Sequence, residues 1–253
     1  MVESDSVAQM KVAVLAISLS EVSLPVSGNR LLDAFFGSNA VGLRQDLEIV
    51  TLPARTWLAP YAGPRHHVDF PIDAVISIVA TLRSGDAVEV GTVGREGFVE
   101  TDAALESDAA RRGWFCQIAG DVVRMPLRAF RERMDDDSAF ARLMRRNAAA
   151  TLFTAQQYAA CNARHDVKER SARWLLATHR RVERAGFPLT HESLAMLLGV
   201  RRATVTDALG TLQDAGAIEQ QRGRVTVLDE RALRAAACEC DEECEEAYRE
   251  SLA

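Results

Sequence analysis

Arginine and threonine side chains are concentrated in two short stretches of residues 189–229, and both stretches suit contact with nucleic acid. The first stretch offers guanidinium, hydroxyl and carboxylate groups within seven positions: Arg201, Arg202, Thr204, Thr206 and Asp207. The second contains Arg222 and Arg224 on either side of a glycine. A guanidinium group can donate two hydrogen bonds to O6 and N7 of guanine, and hydroxyl groups suit bases or phosphates. Both stretches are therefore candidates for DNA contact.

The surrounding residues predict a helix-turn-helix followed by a two-stranded wing. Thr190 is a good N-cap for a short helix, and Gly199 can adopt the left-handed turn that joins it to a second helix. The apolar residues of the second helix are spaced i, i+4 and i+7: Val205, Leu209 and Leu212. This spacing turns the polar residues 201–207 outward, where a recognition helix meets the major groove. Thr190 and His191, at the start of the first helix, are further candidates for DNA contact.

A second feature is a stretch without glycine or proline at 139–162, which predicts a long helix after the acidic N-cap sequence 135–138. The helix carries two apolar stripes. The first contains Phe140, Leu143, Met144, Ala150, Thr151, Thr154, Tyr158 and Cys161, with Asn147 near an a-type position of the same seam, and the second contains Ala148, Leu152, Ala155 and Ala159. Two apolar faces require two partners, which we interpret as the helix's own domain and a second chain. We assign the first stripe to the dimer interface, where Asn147 would set the register; the alternative is a core helix of a single domain.

Residues 47–126 predict a compact β-barrel or β-roll. Short β-rich segments recur there at close spacing: 47–52, 75–82, 87–93, 114–118 and 122–125. A turn at 83–86 is expected to join two of them in a hairpin. A helix with apolar residues on one side is predicted at 29–36.

Charge is distributed unevenly along the 253 residues, whose net charge is −6. Residues 164–234 carry 13 basic and 9 acidic side chains, whereas residues 235–253 carry one basic and seven acidic side chains. A basic segment within an acidic chain favours a phosphate-rich partner, although a solvated basic face would explain the charge equally well. An acidic start precedes the short apolar run 12–19, so neither a signal peptide nor a membrane span is expected, and the protein is predicted to be cytoplasmic.

The sequence does not predict an enzyme, a metal site or a cofactor. It contains no nucleophile elbow, P-loop, dinucleotide-binding fingerprint or H-E-x-x-H motif. Cys238, Cys240 and Cys244 lie among the seven acidic residues of 235–253, but a structural zinc site usually has four nitrogen or sulfur ligands. We expect this segment to be a solvated acidic tail, and Cys161 to serve packing.

The order of these elements resembles the CRP/FNR family of bacterial transcription regulators over about residues 25–234. The resemblance implies an α+β fold with an N-terminal β-roll that is cupin-like or cyclic-nucleotide-binding-like. The implied division is an N-terminal tail (1–24), the β-roll sensor (25–134), a dimerisation helix (135–163), the winged helix-turn-helix domain (164–234) and the acidic tail (235–253). It also implies a homodimer on palindromic double-stranded DNA, with RNA polymerase as a candidate partner.

Two departures limit what the resemblance transfers. In the catabolite activator branch, the recognition helix usually has Glu and Arg where this chain has Ala203 and Asp207. The base preference of that branch therefore does not carry over.

The region that would hold a cyclic nucleotide also departs from the family pattern. Arg111 matches the arginine that neutralises the phosphate, but Val99-Glu100 replaces the Gly-Glu pair, and acidic side chains surround the site. Glu100, Arg111 and Arg112 are the candidate effector-binding residues, and a response to cyclic nucleotide is not expected. No cysteine precedes Cys116, so the iron–sulfur centre of the oxygen-sensing branch is not expected either. The alternative function is a protein-interaction or allosteric module whose β-roll binds a partner or a small ligand.

Overall fold

The computed structural model describes residues 16–18, 27–39, 43–59, 64–83, 87–107 and 112–253. The strands are β1 (Ala16–Ser18), β2 (Glu48–Leu52), β3 (Trp57–Ala59), β4 (His67–Pro71), β5 (Val75–Thr81), β6 (Ala87–Val93), β7 (Gly113–Ile118), β8 (Gly120–Pro126), β9 (Gly186–Pro188), β10 (Ile218–Gln221) and β11 (Arg224–Val227). The helices are α1 (Arg30–Asn39), α2 (Thr101–Ala104), α3 (Leu127–Asp136), α4 (Ser138–Arg164), α5 (Val167–Val182), α6 (His191–Leu198), α7 (Arg202–Asp214), α8 (Glu230–Ala236) and α9 (Cys240–Leu252). None of the helices described combines the length and apolarity needed to cross a bilayer.

The N-terminal half is a β-roll built from two antiparallel four-stranded sheets, with strand orders β1-β2-β8-β4 and β3-β7-β5-β6. Side chains from both sheets share one buried cluster, which includes Val50, Ile76, Trp114 and Val122. The predicted β-rich segments correspond to β2, β5, β6, β7 and β8. The expected hairpin joins β5 and β6, although residues 84–86 of its turn lie outside the described residues. The sequence did not predict β1, which pairs with β2 and so contradicts a tail at 16–18.

Aromatic packing joins this roll to three helices. The ring of Phe98 stacks on that of Phe70, with 5.7 Å between the ring centroids. Phe130 of α3 packs against Phe98 at 5.7 Å, and Phe140 of α4 packs against Phe130 at 5.5 Å. Phe35 of α1 closes the series against Phe140 at 5.3 Å. Such aromatic contacts add to the free energy of burial, so α1, α3 and α4 form one core with the roll.

The long predicted helix is α4, and its N-terminus is capped as the acidic sequence predicted. Asp137 accepts hydrogen bonds from the backbone nitrogens of Ala139 and Phe140, both at 3.0 Å. The predicted solvated tail, in contrast, is wrong, because residues 240–252 form α9. This helix lies antiparallel along α4, with Ser251 at Asn147 and Tyr248 at Thr151.

The C-terminal part contains helices α5 to α8 and a three-stranded sheet of order β10-β11-β9. A capping box between Asp166 and Glu169 starts α5. The buried cluster of this part includes Trp174 and Leu194, and it continues into Val75 and Ile118 of the β-roll. The two parts of the chain therefore share a hydrophobic contact.

Buried polar groups reinforce that contact. The guanidinium of Arg181 on α5 donates to the Glu96 carboxylate at 2.9 Å and to the carbonyl of Thr92 at 3.2 Å. Gly94 makes this approach possible, because a Cβ atom there would lie 2.5 Å from Cγ of Arg181. Glu89 of β6 accepts from Trp174 Nε1 at 3.1 Å and from the Ser77 hydroxyl at 2.6 Å.

Candidate nucleic-acid interface

Helices α6 and α7 form the predicted helix-turn-helix. Thr190 caps α6 by accepting a hydrogen bond from the backbone nitrogen of Ser193 at 3.0 Å. Gly199 ends α6 in the left-handed conformation, with φ of 64°, as the sequence predicted. A left-handed residue at this point satisfies the last carbonyls of α6 and redirects the chain into α7.

Helix α7 divides into a buried and an exposed face. Val205, Leu209 and Leu212 are buried in the core of the C-terminal part. The predicted contact residues lie on the opposite side and are all exposed: Arg201, Arg202, Thr204, Thr206 and Asp207. The two arginines stand at the N-terminal end, where the helix dipole also favours negatively charged ligands such as phosphate.

His191 and Thr206 have a structural role in the free chain that sequence reasoning missed. The Nδ1 atom of His191 lies 2.8 Å from the Thr206 hydroxyl, and its Nε2 atom lies 2.5 Å from the side-chain oxygen of Gln220 on β10. This ring therefore joins α6, α7 and the wing. No sequence signal pointed to Gln220, because a glutamine in a strand of a wing is an ordinary solvated residue.

The wing turns through Arg222 and Gly223, since Gln221 of β10 pairs with Arg224 of β11. Both turn residues have positive φ, 47° for Arg222 and 78° for Gly223, as a two-residue hairpin turn of this hand requires. The side chain of Arg222 is exposed at the tip. Arg224 instead donates to the carbonyl of Gly186 at 2.5 Å, so it also holds β9 to the wing.

The comparisons with known proteins agree with this geometry. Residues 169–236 match the family model of the Crp-like helix-turn-helix domain. The C-terminal part is a Crp-like helix-turn-helix domain. The comparison with curated proteins found no significant match.

Solved structures extend the fold similarity to 75–79% of this chain. TTHA1359, a CRP/FNR-family transcriptional regulator from Thermus thermophilus, is 22% identical and covers 75% of this chain and 97% of its own, with a TM-score of 0.60. FixK2 from Bradyrhizobium japonicum is 16% identical and covers 75% of this chain and 96% of its own, with a TM-score of 0.62. CLP, a c-di-GMP responsive global regulator from Xanthomonas campestris, is 17% identical and covers 79% of this chain and 98% of its own, with a TM-score of 0.58. The predicted α+β fold and its resemblance to CRP/FNR regulators are therefore confirmed.

The long helix that precedes the Crp-like domain does not present the stripe that we assigned to a dimer. The residues of that stripe are buried against the chain itself, except Leu143, which is half-buried: Phe140, Met144, Asn147, Ala150, Thr151, Thr154, Tyr158 and Cys161. Asn147 donates to the carbonyl of Glu96 at 2.9 Å and to the Ser251 hydroxyl at 3.2 Å. The assignment was wrong because α9 and the β-roll cover this side of α4.

The opposite side of α4 carries the exposed apolar groups. Leu152 is 55% exposed and Phe153 is 37% exposed. The exposed positions Ala149, Leu152, Gln156, Ala159 and Ala163 follow one another at intervals of three and four residues. This is the spacing of a seam between two helices, and Leu152 and Ala159 come from the second predicted stripe.

Two of the three candidate effector residues, Glu100 and Arg112, are engaged in ion pairs within the roll. Glu100 is buried, and its carboxylate lies 3.2 Å from Nε of Arg65. Burial raises the pKa of Glu100 to about 7, although Arg65 opposes this shift. Arg112 lies 2.9 Å from the carboxylate of Asp102. Arg111, the predicted phosphate ligand, lies outside the described residues.

Proposed function

We propose that the chain is a sequence-specific DNA-binding transcription regulator of the CRP/FNR type. The observation that carries the proposal is the outward presentation of Arg201, Arg202 and Thr204 at the start of α7, with Arg222 at the wing tip. Arginines on a recognition helix can read base edges while an arginine on the wing contacts phosphates. In this proposal residues 164–234 bind DNA, residues 25–134 form the sensor and residues 135–163 join two subunits.

The active species in this proposal is a homodimer formed through the exposed stripe of α4. Leu152 supplies a large apolar group, and the alanines at 149, 159 and 163 allow two helices to approach closely. Burying such groups between two chains removes apolar surface from water. A two-fold axis along paired α4 helices presents two copies of α7 to one duplex, and therefore favours a palindromic site.

The sensor in this proposal does not take a cyclic nucleotide. The carboxylate of Glu100 is already paired with Arg65, and Asp102 is paired with Arg112. A phosphate entering this region would have to compete with both carboxylates for the same guanidinium groups.

Selection of bound sites from random duplex DNA by the full chain tests the proposal. The expected result is an enriched palindrome whose half-sites are centred about 10–10.5 base pairs, or one helical turn, apart or a multiple of that spacing. The affinity should fall steeply with salt, because bound phosphates release counterions. Recovery of unenriched DNA, with no salt-dependent binding, would contradict the proposal and favour the protein-interaction module.

A further inference from the structure

Four metal-ligating side chains that are distant in sequence converge where α4 ends. Cys161 lies in the last turn of α4 and His165 follows that helix, whereas Cys238 and Cys240 lie where α8 gives way to α9. One ligand atom from each of these residues lies within 4.8 Å of all the others. The three cysteines are buried and are free thiols, and His165 is half-buried. The sequence gave no signal for this group, because Cys161 and His165 lie more than 70 residues before Cys238 and Cys240.

Two distances in this cluster match those between ligands of a single tetrahedral metal ion, and the remaining ligand atoms lie within 4.8 Å of one another. The Sγ atoms of Cys161 and Cys238 are 3.6 Å apart, and Sγ of Cys240 lies 3.6 Å from Nδ1 of His165. Zinc–sulfur bonds of about 2.3 Å and zinc–nitrogen bonds of about 2.0 Å at tetrahedral angles place two sulfurs about 3.8 Å apart, and a sulfur and a nitrogen about 3.5 Å apart. One ion at the centre would therefore reach all four ligands with little rearrangement.

Neighbouring groups orient these ligands as they do in metal sites. Nε2 of His165 lies 3.2 Å from the carboxylate of Glu239. A proton on Nε2, held by this carboxylate, leaves the lone pair of Nδ1 directed at the thiols. The side-chain amide of Gln157 donates to Sγ of Cys240 at 3.3 Å. A chance cluster of packed thiols would not need either of these contacts.

Nearby positive charge suits bound thiolates. Three thiolates and one divalent cation together carry a single negative charge, which is costly to bury without a counter-charge. Arg170 and Arg173 of α5 interact electrostatically with both Cys161 and Cys238. Arg173 is itself buried, with its guanidinium carbon 3.9 Å from the centre of the Tyr158 ring.

We propose that Cys161, His165, Cys238 and Cys240 bind one thiophilic divalent cation, with Zn²⁺ as the best match. Four protein ligands close the coordination sphere, so the site is structural and leaves no open position for catalysis. The ion ties the end of α4 to the segment that follows the Crp-like domain. It also fixes the start of α9, the helix that covers the buried face of α4.

The first test is metal binding by the reduced full-length protein. Elemental analysis is expected to find one zinc per chain. Replacement by Co²⁺ should produce thiolate-to-cobalt charge-transfer bands and the visible bands of a tetrahedral ion, with an end point at one equivalent. Removal of zinc by a chelator should lower the midpoint of thermal unfolding, and added Zn²⁺ should restore it.

Variants then locate the site. Cys238→Ser and Cys240→Ser should abolish stoichiometric binding, whereas Cys244→Ser, which alters another buried thiol of α9 outside the cluster, should retain one metal per chain. Glu239→Gln should weaken zinc binding by about 10-fold to 100-fold, because it removes the carboxylate behind His165.

The proposal would be overturned by a folded, reduced protein that takes up neither Zn²⁺ nor Co²⁺. It would also be overturned by a Cys161–Cys238 disulfide in the freshly purified protein, by iron and inorganic sulfide in place of zinc, or by equal metal loss in Cys244→Ser. If the serine variants fail to fold, the cobalt spectrum of the unaltered protein decides the question by itself.

Discussion

In the proposed function, Arg202 is the side chain on which recognition of a DNA sequence would depend most directly. It occupies the first turn of α7, its side chain is exposed, and the buried face formed by Val205 and Leu209 holds the helix in place. Arg222 has a different task, because it stands at a hairpin tip with a positive φ that few side chains other than glycine and asparagine adopt readily.

Replacing Arg202 by alanine should weaken binding to the selected site by about 1–3 kcal/mol and relax the preference at one base position of each half-site. Fluorescence anisotropy with the selected duplex and with single-base variants would measure both effects. Arg128→Ala, which removes an exposed arginine of α3, is the matched control and should leave binding unchanged. If the unaltered protein, Arg202→Ala and Arg128→Ala bound the selected duplex with equal affinity, Arg202 of α7 would not contact the bases.

Replacing Arg222 by asparagine should preserve the turn, since asparagine adopts positive φ more readily, and should remove one phosphate interaction per subunit. The slope of log affinity against log salt should become shallower by about 0.9 for each phosphate that the variant no longer neutralises. The sequence preference of the selected site should not change. A lower thermal midpoint with an unaltered salt slope would assign Arg222 a structural role instead.

At the scale of elements, α4 has two apolar faces with different partners. One face is covered by the β-roll and by α9, where Asn147 and Thr151 make hydrogen bonds. The other face leaves Leu152 and Phe153 in contact with solvent. Substitutions on the buried face should therefore change the stability of the single chain, whereas substitutions on the exposed face should change the association of two chains.

Leu152→Glu should convert the proposed dimer to monomers, because it places a charge in the centre of the exposed stripe. Sedimentation equilibrium would measure the association constant, and affinity for the palindrome should fall with it. Leu228→Glu alters a leucine that is comparably exposed, at 60%, but follows β11 in the Crp-like domain, so it should leave the dimer intact. A monomeric unaltered protein, or an unaffected dimer in Leu152→Glu, would refute the assigned seam.

Asn147→Ala should instead destabilise the folded chain. It leaves the carbonyl of Glu96 without the Asn147 donor in a buried place, at a cost of about 1–3 kcal/mol of unfolding free energy. Urea denaturation would measure this loss, and the dimer association constant should remain unchanged once the chain is folded. If Asn147→Ala weakened the dimer and left the free energy of unfolding unchanged, Asn147 would belong to the dimer interface after all.

At the scale of the whole molecule, a buried carboxyl group links the β-roll to the Crp-like domain. Glu89 lies on β6, and its partner Trp174 lies on α5. Burial raises the pKa of Glu89 from 4.5 to about 7, although the hydrogen bonds from Ser77 and Trp174 oppose the shift. The folded state therefore binds more protons than the unfolded state between these two values.

The free energy of unfolding should consequently fall as the pH rises through this window. Stability from Glu89 is fully present below about pH 4.5 and is lost as the pH passes about 7, with a total contribution of about 3 kcal/mol. Glu100 contributes with the same sign. Urea denaturation of Glu89→Gln across this range should give a flatter profile, whereas Glu192→Gln, at an exposed carboxyl, should follow the unaltered protein. An unchanged slope in Glu89→Gln would assign the pH dependence to other groups.

Local patterns in the sequence determined the elements of the fold and the two faces of α7. The spacing of Val205, Leu209 and Leu212 places the polar residues of α7 on the opposite side, because a helix has a fixed period. Gly199 and the acidic cap at Asp137 marked helix ends, since both act through their immediate neighbours. The same local rules identified two apolar stripes on α4 and five strands of the roll.

Only the tertiary structure decided what covers each face. Asn147 meets Ser251, which is 104 residues away, and Cys161 meets Cys238 at a separation of 77 residues. Periodicity shows which side chains share a face, but the partner of that face depends on how distant segments fold back. The acidic composition of 235–253 suggested a solvated tail, yet its buried residues Cys240, Cys244 and Tyr248 lie on one side of α9. That side packs against α4 and brings the thiols together. The packing of α9 on α4 therefore decides both which face of α4 stays exposed and where the proposed metal site forms.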